Sequence, residues 1–461
     1  MVRSNVVFIL IDDLGWRDLA CYGSSFYETP HLDELSRQGM MFTRAYASCP
    51  VCSPTRASIM TGKYPARLGL TQWIGGSANG RVLDVPYIRH LPLEETSLAT
   101  ALREGGYQTW CVGKWHLGSE PYWPQHHGFD VNLGGCHWGR PMNGYFSPWG
   151  NPTLPDGRPG EYLTDHLTDR AIGLIRDRRG DAPFFLYLAH HAMHIPIQAP
   201  EPLVEKYRRK AAAMKLDQVN PLVEGQGFPF AERRDHRLVR RVVQSDPAYA
   251  AMIENLDTNI GRLMAALHRE GLAERTLVVF VSDNGGLSSA EGAPTCNHPL
   301  SEGKGWNYEG GTRVCQIVRW PGRVAPDSRC HVPVTSTDFY PTILAAAGLP
   351  RRPAQHRDGV SLLPLLAGGD RLDRRAIFWH YPHYSNQGNT PAAAVVEGDY
   401  KLIEFFEDSH LELYDLADDP GEHRSLADER PELRDALHEQ LRAWQRDVSA
   451  VIPQPNPNWR P

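Results

Sequence analysis

Along the chain, short apolar runs rich in β-branched and aromatic residues alternate with longer stretches in which apolar positions recur every three or four residues. Val6 to Ile11, Gln108 to Val112, Phe184 to Ala189 and Thr276 to Ser282 read as buried strands. Pro30 to Arg37 reads as a helix with Thr29 as its N-cap and proline in its first turn, and Leu93 to Glu104 as another, with Leu98 and Leu102 one turn apart. Pro247 to Glu270 is the clearest helix, because Met252, Leu256, Ile260, Leu263, Met264 and Leu267 form one apolar stripe. Strands alternating with helices predict an α/β fold: a mostly parallel central sheet covered by helices on both faces.

Two stretches depart from that rhythm. Between Val204 and Asp246 the chain turns polar and basic, with Arg208-Arg209-Lys210 and Arg233-Arg234, which reads as a solvated helical insertion. Near Gly368-Gly369-Asp370 the pattern changes to strand-like runs, Ala392 to Val396 and Lys401 to Phe406, joined through Glu397-Gly398-Asp399 and followed by a helix from Pro431 to Val448. The expected organisation is a larger α/β domain over residues 1–369 and a smaller α+β domain with an antiparallel sheet over 370–461, ending in a Pro-rich tail.

A chain of 461 residues, 41% of them hydrophobic, buries a large core. A net charge of -6 excludes nucleic acid or an acidic membrane surface as a general partner. The apolar run Val6 to Ile11 stops at Asp12-Asp13, too short for a signal peptide, and no segment approaches the ~18 apolar residues of a membrane span. The expectation is a cytoplasmic protein, or a periplasmic or secreted one if a leader has been trimmed. The eight cysteines are scattered without a CxxC pair, so most read as reduced core thiols.

In an open parallel sheet, ligands bind beyond the carboxyl ends of the strands. All four predicted strands run into polar residues there: Asp12-Asp13, Asp283-Asn284-Gly285-Gly286, Lys114-Trp115-His116, and His190-His191-Ala192-Met193-His194. Asp-Asn-Gly-Gly alone reads as a turn. Together, Asp12, Asp13, Asp283 and Asn284 supply oxygen ligands that suit a hard cation, calcium or magnesium. Lys114 and His116 point to one side if the strand continues, and that pair suits an anionic substrate or a nucleophile that must lose a proton. The three histidines lack the glutamate of H-E-x-x-H, and Pro196 follows, so zinc is not expected.

Cys52 precedes Ser53-Pro54-Thr55-Arg56 and would cap a helix beginning near Ser53. Unpaired N–H groups and the helix dipole favour an anion there, and Arg56 could add donors to the anion's oxygens. A low-pKa thiolate, a metal ligand, half of a disulfide and a buried thiol all remain open locally. Only three residues separate Cys52 from Arg56, a shorter loop than that of cysteine phosphatases.

Cys52-Ser53-Pro54-Thr55-Arg56 with Thr61-Gly62 resembles the signature of the type I, formylglycine-dependent sulfatases of the alkaline-phosphatase superfamily, such as arylsulfatases and N-acetylgalactosamine sulfatases. The resemblance extends to I-D-D-L-G-W at 11–16, G-K-W-H-L-G at 113–118, S-D-N-G-G at 282–286, G-K-G-W-N-Y-E-G-G at 303–311, E-L-Y-D-L at 412–416 and D-P-G-E at 419–422. It implies that a maturation enzyme, reading Pro54 and Arg56 among other residues, oxidises Cys52 to formylglycine, whose hydrate is the nucleophile. It also implies one calcium ion, or magnesium, on Asp12, Asp13, Asp283, Asn284 and the modified Cys52. Arg56, Lys114 and His116 would orient the hydrate, and His194 and Lys304 would contact the sulfate and the leaving oxygen. Two places depart from the family pattern: residues 190–194 are less proline-rich than in many relatives, and Ser301-Glu302 stands where many carry an arginine.

The resemblance implies the reaction but not the alcohol. Trp73, His137, Trp138, Arg140, His380 and His383 lie in aromatic and histidine-rich segments outside the motifs, suited to pack on a sugar ring and bond its hydroxyls. Trp379 to Tyr384 opens the second domain and could close over the site. These segments favour an exo-acting sulfatase on a sulfated saccharide, with aryl sulfates as artificial substrates. A phosphonate monoester or phosphodiester hydrolase of the same superfamily, and a non-catalytic sulfoglycan-binding protein, are the alternatives.

Overall fold

The computed structural model describes residues 3–460. Its strands are β1 (Asn5–Ile11), β2 (Met40–Tyr46), β3 (Gln108–Gly113), β4 (Val131–Leu133), β5 (Phe184–His190), β6 (Leu222–Gly227), β7 (Arg237–Arg241), β8 (Thr276–Ser282), β9 (Arg313–Arg319), β10 (Ser328–Cys330), β11 (Val334–Thr335), β12 (Ala376–Tyr381), β13 (Ala392–Glu397), β14 (Tyr400–Phe405) and β15 (Leu411–Asp415). The main sheet has nine strands in the order β10-β2-β9-β8-β1-β5-β3-β4, with β11 alongside β2. β9 runs antiparallel to β8 and β2, and the other pairings are parallel, so the predicted mostly parallel sheet is what forms. Every residue of β1, β5 and β8 is buried, which is why these strands read as unbroken apolar runs rather than alternating ones. Val7, Ile9 and Ile11 pack into the core on one face, with the helix Pro247–Arg269; Val6, Phe8 and Leu10 pack on the other, with Phe339 and Tyr340.

Local chemistry moves some helix starts from their predicted places. The helix expected from Leu93 begins at Leu98, because the Ser97 hydroxyl accepts the Thr100 N–H at 3.0 Å and caps it there. Thr29 occupies the N-cap of Pro30–Arg37, but its hydroxyl is bonded to Asp33 and to the Ala20 N–H. The orphan N–H groups of His31 and Leu32 donate instead to Asp257, on the long helix, at 3.2 and 2.8 Å. The basic insertion is only partly helical: Glu201–Ala213 is a helix, and the β6–β7 hairpin follows.

The C-terminal region carries the expected antiparallel sheet, β12-β13-β14-β15. The helix Pro431–Asp447 covers one face through Leu437 and Leu441, and Tyr46 from β2 packs into the other beside Trp379. Trp379 is fixed there, its indole N–H donating to the Ala47 carbonyl at 2.7 Å. No helix among the described residues is long and apolar enough to cross a membrane.

A buried charge cluster joins the two sheets. Lys401 Nζ lies 3.0 Å from Glu309 Oε1 and 2.9 Å from Glu422 Oε1, all three side chains fully enclosed. Burial pushes Glu422 up to about 8 against the pull of Lys401. Burial acts on Glu309 too, but Lys401 and Arg313 overcome it and hold that carboxyl below its ordinary value. Removing one partner of such a group leaves the others buried and uncompensated. Lys401→Met is therefore expected to cost ~3–5 kcal/mol in urea unfolding, and an unchanged midpoint would refute this account of the cluster.

Candidate active site

Strand register brings the polar strand ends together. Ile11 lies beside Ser282 on one side and His190 on the other, and Gly113 lies beside Ala189. The next residues of four neighbouring parallel strands therefore emerge at one edge: Asp12-Asp13, Asp283-Asn284, His191 and Lys114. Asp13 takes a left-handed backbone (φ 60°), so the chain turns as it leaves β1. Asp12, Asp13 and Asp283, all buried, place carboxylate oxygens within 4.8 Å of one another.

Cations and an amide hold these acids. Lys114 Nζ donates to Asp12 Oδ2 at 2.6 Å, Lys304 Nζ to Asp13 Oδ2 at 2.7 Å, and Asn284 Nδ2 to Asp13 Oδ1 at 2.8 Å. His194 Nε2 faces the same Asp13 carboxylate at 3.7 Å. Asp12 Oδ1 and Asn284 Oδ1 are buried acceptors without a hydrogen-bond partner, with Arg56 Nη2 3.8 Å from the former. Orphaned oxygens beside three crowded carboxylates are what a hard cation would satisfy, so the residues present fit calcium or magnesium.

The helix Cys52–Thr61 begins at Cys52 itself, with Val51 at the N-cap, one residue earlier than predicted. Cys52 Sγ lies 3.3 Å from His116 Nδ1. Burial raises the thiol's pKa despite Lys114, so the low-pKa thiolate is not supported. Burial, then Lys114 and Arg56, push the His116 imidazole well below its usual range, which keeps a neutral base against residue 52. His116 does not continue the strand: β3 ends at Gly113, and a left-handed backbone at His116 (φ 57°) turns its ring toward Cys52. Arg56 is enclosed, its Nε donating to Asp283 at 2.8 Å and its Nη1 to the Lys114 carbonyl at 2.9 Å. It fixes the acid cluster to the Lys114 strand end instead of presenting a free fork to an anion.

A cavity of about 400 Å³ opens above these groups, walled by Cys52, His116, His194 and Lys304 together with Trp73, His137 and Arg140. Three other sequence candidates lie elsewhere. Trp138 lines a separate small cleft with His191 and Trp149. His380 bonds the Val451 carbonyl at 3.0 Å, and His383 is spent between Thr71 Oγ1 (2.8 Å) and Asp84 (2.7 Å). His380 thus ties the C-terminal sheet to the tail after the last helix, and His383 ties it to loops before the sheet. Ile74, Gly139, Met142, Ile195, Glu291, Asn386 and Gln387 complete the wall, and no motif marks them in the sequence. A larger cavity, about 780 Å³, lies between β10 and β12 and holds none of the site residues. At the departure at Ser301-Glu302, Glu302 binds Arg240 of the hairpin at 2.8 Å.

Comparison with known proteins matches this geometry to a family. A family model described as Sulfatase covers residues 4–349, and one described as N-sulphoglucosamine sulphohydrolase, C-terminal, covers residues 302–447. The chain belongs to the sulfatase family. It is 32% identical to a sulfatase of Formosa agariphila, over 96% of this chain and 88% of that protein. Identity is also 32% to arylsulfatase A of Homo sapiens, over 97% and 89%. Among solved structures it resembles Ps i-CgsB, with 26% identity and a TM-score of 0.77 over 99% of this chain and 94% of that one. Ps i-CgsB has also been solved in complex with k-i-k-neocarrahexaose. The sulfatase is thus a sulfuric ester hydrolase of the alkaline-phosphatase superfamily, with the mixed sheet and C-terminal antiparallel sheet of its structural neighbours. Membership in a hydrolase family sets aside a purely sulfoglycan-binding role.

Proposed function

We propose that this chain removes a sulfate ester from the end of a sulfated saccharide, with residue 52 acting as formylglycine and a calcium ion held by Asp12, Asp13, Asp283, Asn284 and residue 52. The observation that carries this reading is the position of Cys52. It is buried, protonated as a thiol and in contact with a neutral imidazole, on the wall of a cavity that also presents Trp73, His137 and Arg140. A hydrated aldehyde at that position would supply the nucleophilic oxygen the thiol cannot, and a bound cation would lower the charge repulsion that an anionic ester meets.

The chain's own residues then have separable tasks. His116 Nδ1 takes the proton from residue 52. Lys114 and Arg56 hold the acids and the nucleophile's helix in one geometry. Lys304 and His194 sit beside Asp13, where the sulfate and leaving oxygen would be bonded and protonated. A cavity of about 400 Å³ suits a terminal sugar better than a polymer running through, which favours exo action. The sugar complex of Ps i-CgsB supports a saccharide as the alcohol.

Mass spectrometry of the peptide bearing residue 52, from protein that releases sulfate, tests this reading. The expected species is the aldehyde in place of the thiol, and active protein carrying only unmodified cysteine would overturn it. Formation of the aldehyde also requires a maturation enzyme as partner, so protein produced without one is expected to carry cysteine and to be inactive.

A further inference from the structure

One residue of the cavity wall runs against the charge of its neighbours. Lys304 and Arg140 line the cavity, yet Glu291 lines it as well. No lysine, arginine or histidine among the described residues forms an ion pair with Glu291. Its carboxylate is bonded by two amides, Gln387 Nε2 to Oε2 at 2.5 Å and Asn386 Nδ2 to Oε1 at 3.5 Å. Gln387 is itself buried and anchored, its backbone carbonyl accepting from Ser289 Oγ and Trp306 Nε1, each at 3.1 Å. Facing a carboxylate, the Gln387 amide must present its N–H₂, so this side chain has one orientation. The loop carrying Glu291 holds Ala290, Glu291 and Ala293 in the left-handed region (φ 55°, 42° and 40°), which non-glycine residues avoid.

An ionised carboxylate only accepts hydrogen bonds, and it repels a second anion. It shares the cavity lining with Lys304 and Arg140, and its charge reaches Lys304, so the wall offers cations for the scissile sulfate and, close by, an acceptor for whatever the sugar carries beside it. We propose that Glu291, positioned by Gln387, is a specificity-determining residue: it accepts a hydrogen bond from a free hydroxyl next to the scissile sulfate and rejects sugars bearing a second sulfate there. This deepens the saccharide reading above and rests on it.

The test uses the mature enzyme on hexose monosulfates of the galactose and glucosamine series and on matched disulfates with the second sulfate at the nearest position. Wild type is expected to favour the monosulfate in kcat/KM by about tenfold or more. Glu291→Gln is expected to bring the two within about threefold, while Glu291→Asp, which keeps the charge, retains the preference. The ratio is taken on one enzyme preparation, so a partly folded variant leaves it intact. A Glu291→Gln ratio equal to wild type, or a wild type that prefers the disulfate, overturns the role of Glu291 while leaving the saccharide reading in place. A wild type that cleaves aryl sulfate but none of these sugars overturns the saccharide reading, and this inference with it.

Discussion

Changing Cys52 to serine should stop the enzyme after one event, lowering kcat on an aryl sulfate by at least ~10⁴-fold and leaving one sulfate bound per chain at residue 52. The side chain at this position touches His116 Nδ1, so a serine hydroxyl can still lose its proton and attack. It has a single hydroxyl, however. Once sulfated it has no second oxygen from which His116 could take a proton to expel the sulfate, whereas a hydrated aldehyde has one. Intact-mass analysis after incubation with substrate would show the added SO₃, and the variant should melt close to wild type because serine is similar in size to the side chain it replaces. Sustained turnover by Cys52→Ser would remove the formylglycine mechanism.

Withdrawing the divalent cation should have the next largest effect, a loss of ~10²–10³-fold in kcat with a fall of several degrees in Tm. Both should return when calcium is restored. Asp12, Asp13 and Asp283, all buried, bring three carboxylates within 4.8 Å of one another. Lys114, Lys304 and Arg56 offset part of that repulsion, but Asp12 Oδ1 and Asn284 Oδ1 remain without hydrogen-bond partners. An ion that satisfies them binds the folded chain and not the unfolded one, so it stabilises by mass action. Protein shown by elemental analysis to be metal-free, yet with unchanged melting and activity, would contradict the assignment.

The fold was legible where burial is complete. β1, β5 and β8 lie inside the sheet on both faces, so each appears as an apolar run whose first polar residue marks the strand's carboxyl end. That is why Asp12, Asp13, Asp283 and Asn284 could be grouped before any coordinates: parallel neighbours in register must present those positions together. The wall of the cavity was less legible. Trp73, His137 and Arg140 were reached by residue type, but the same reasoning selected His380 and His383, whose rings are spent on Val451, Thr71 and Asp84. Residue type shows that a histidine can bond a sugar, and only its neighbours show whether its nitrogens are free. Glu291 and Gln387 are illegible in the sequence for the converse reason. They sit on irregular loops, far apart in sequence, and no periodicity or motif links them. The helix expected from Leu93 starts at Leu98 because Ser97 caps it there, whereas Pro30–Arg37 starts where expected although Asp257, on another element, takes its free N–H groups.

The Glu309–Lys401–Glu422 cluster has a bearing on how the molecule comes apart. Glu309 lies before residue 370, and Lys401 and Glu422 after it, so the ion pair of Lys401 with Glu309 crosses from one part of the chain to the other. Separated at residue 369, the first part would keep Glu309 with only Arg313, 3.4 Å away, and the second would keep Lys401 with only Glu422. The two sheets differ in architecture and meet at a change in sequence pattern, yet they share one electrostatic balance. In terms of cooperativity they are expected to unfold together, with the catalytic edge of the large sheet and the small antiparallel sheet lost in one transition on heating.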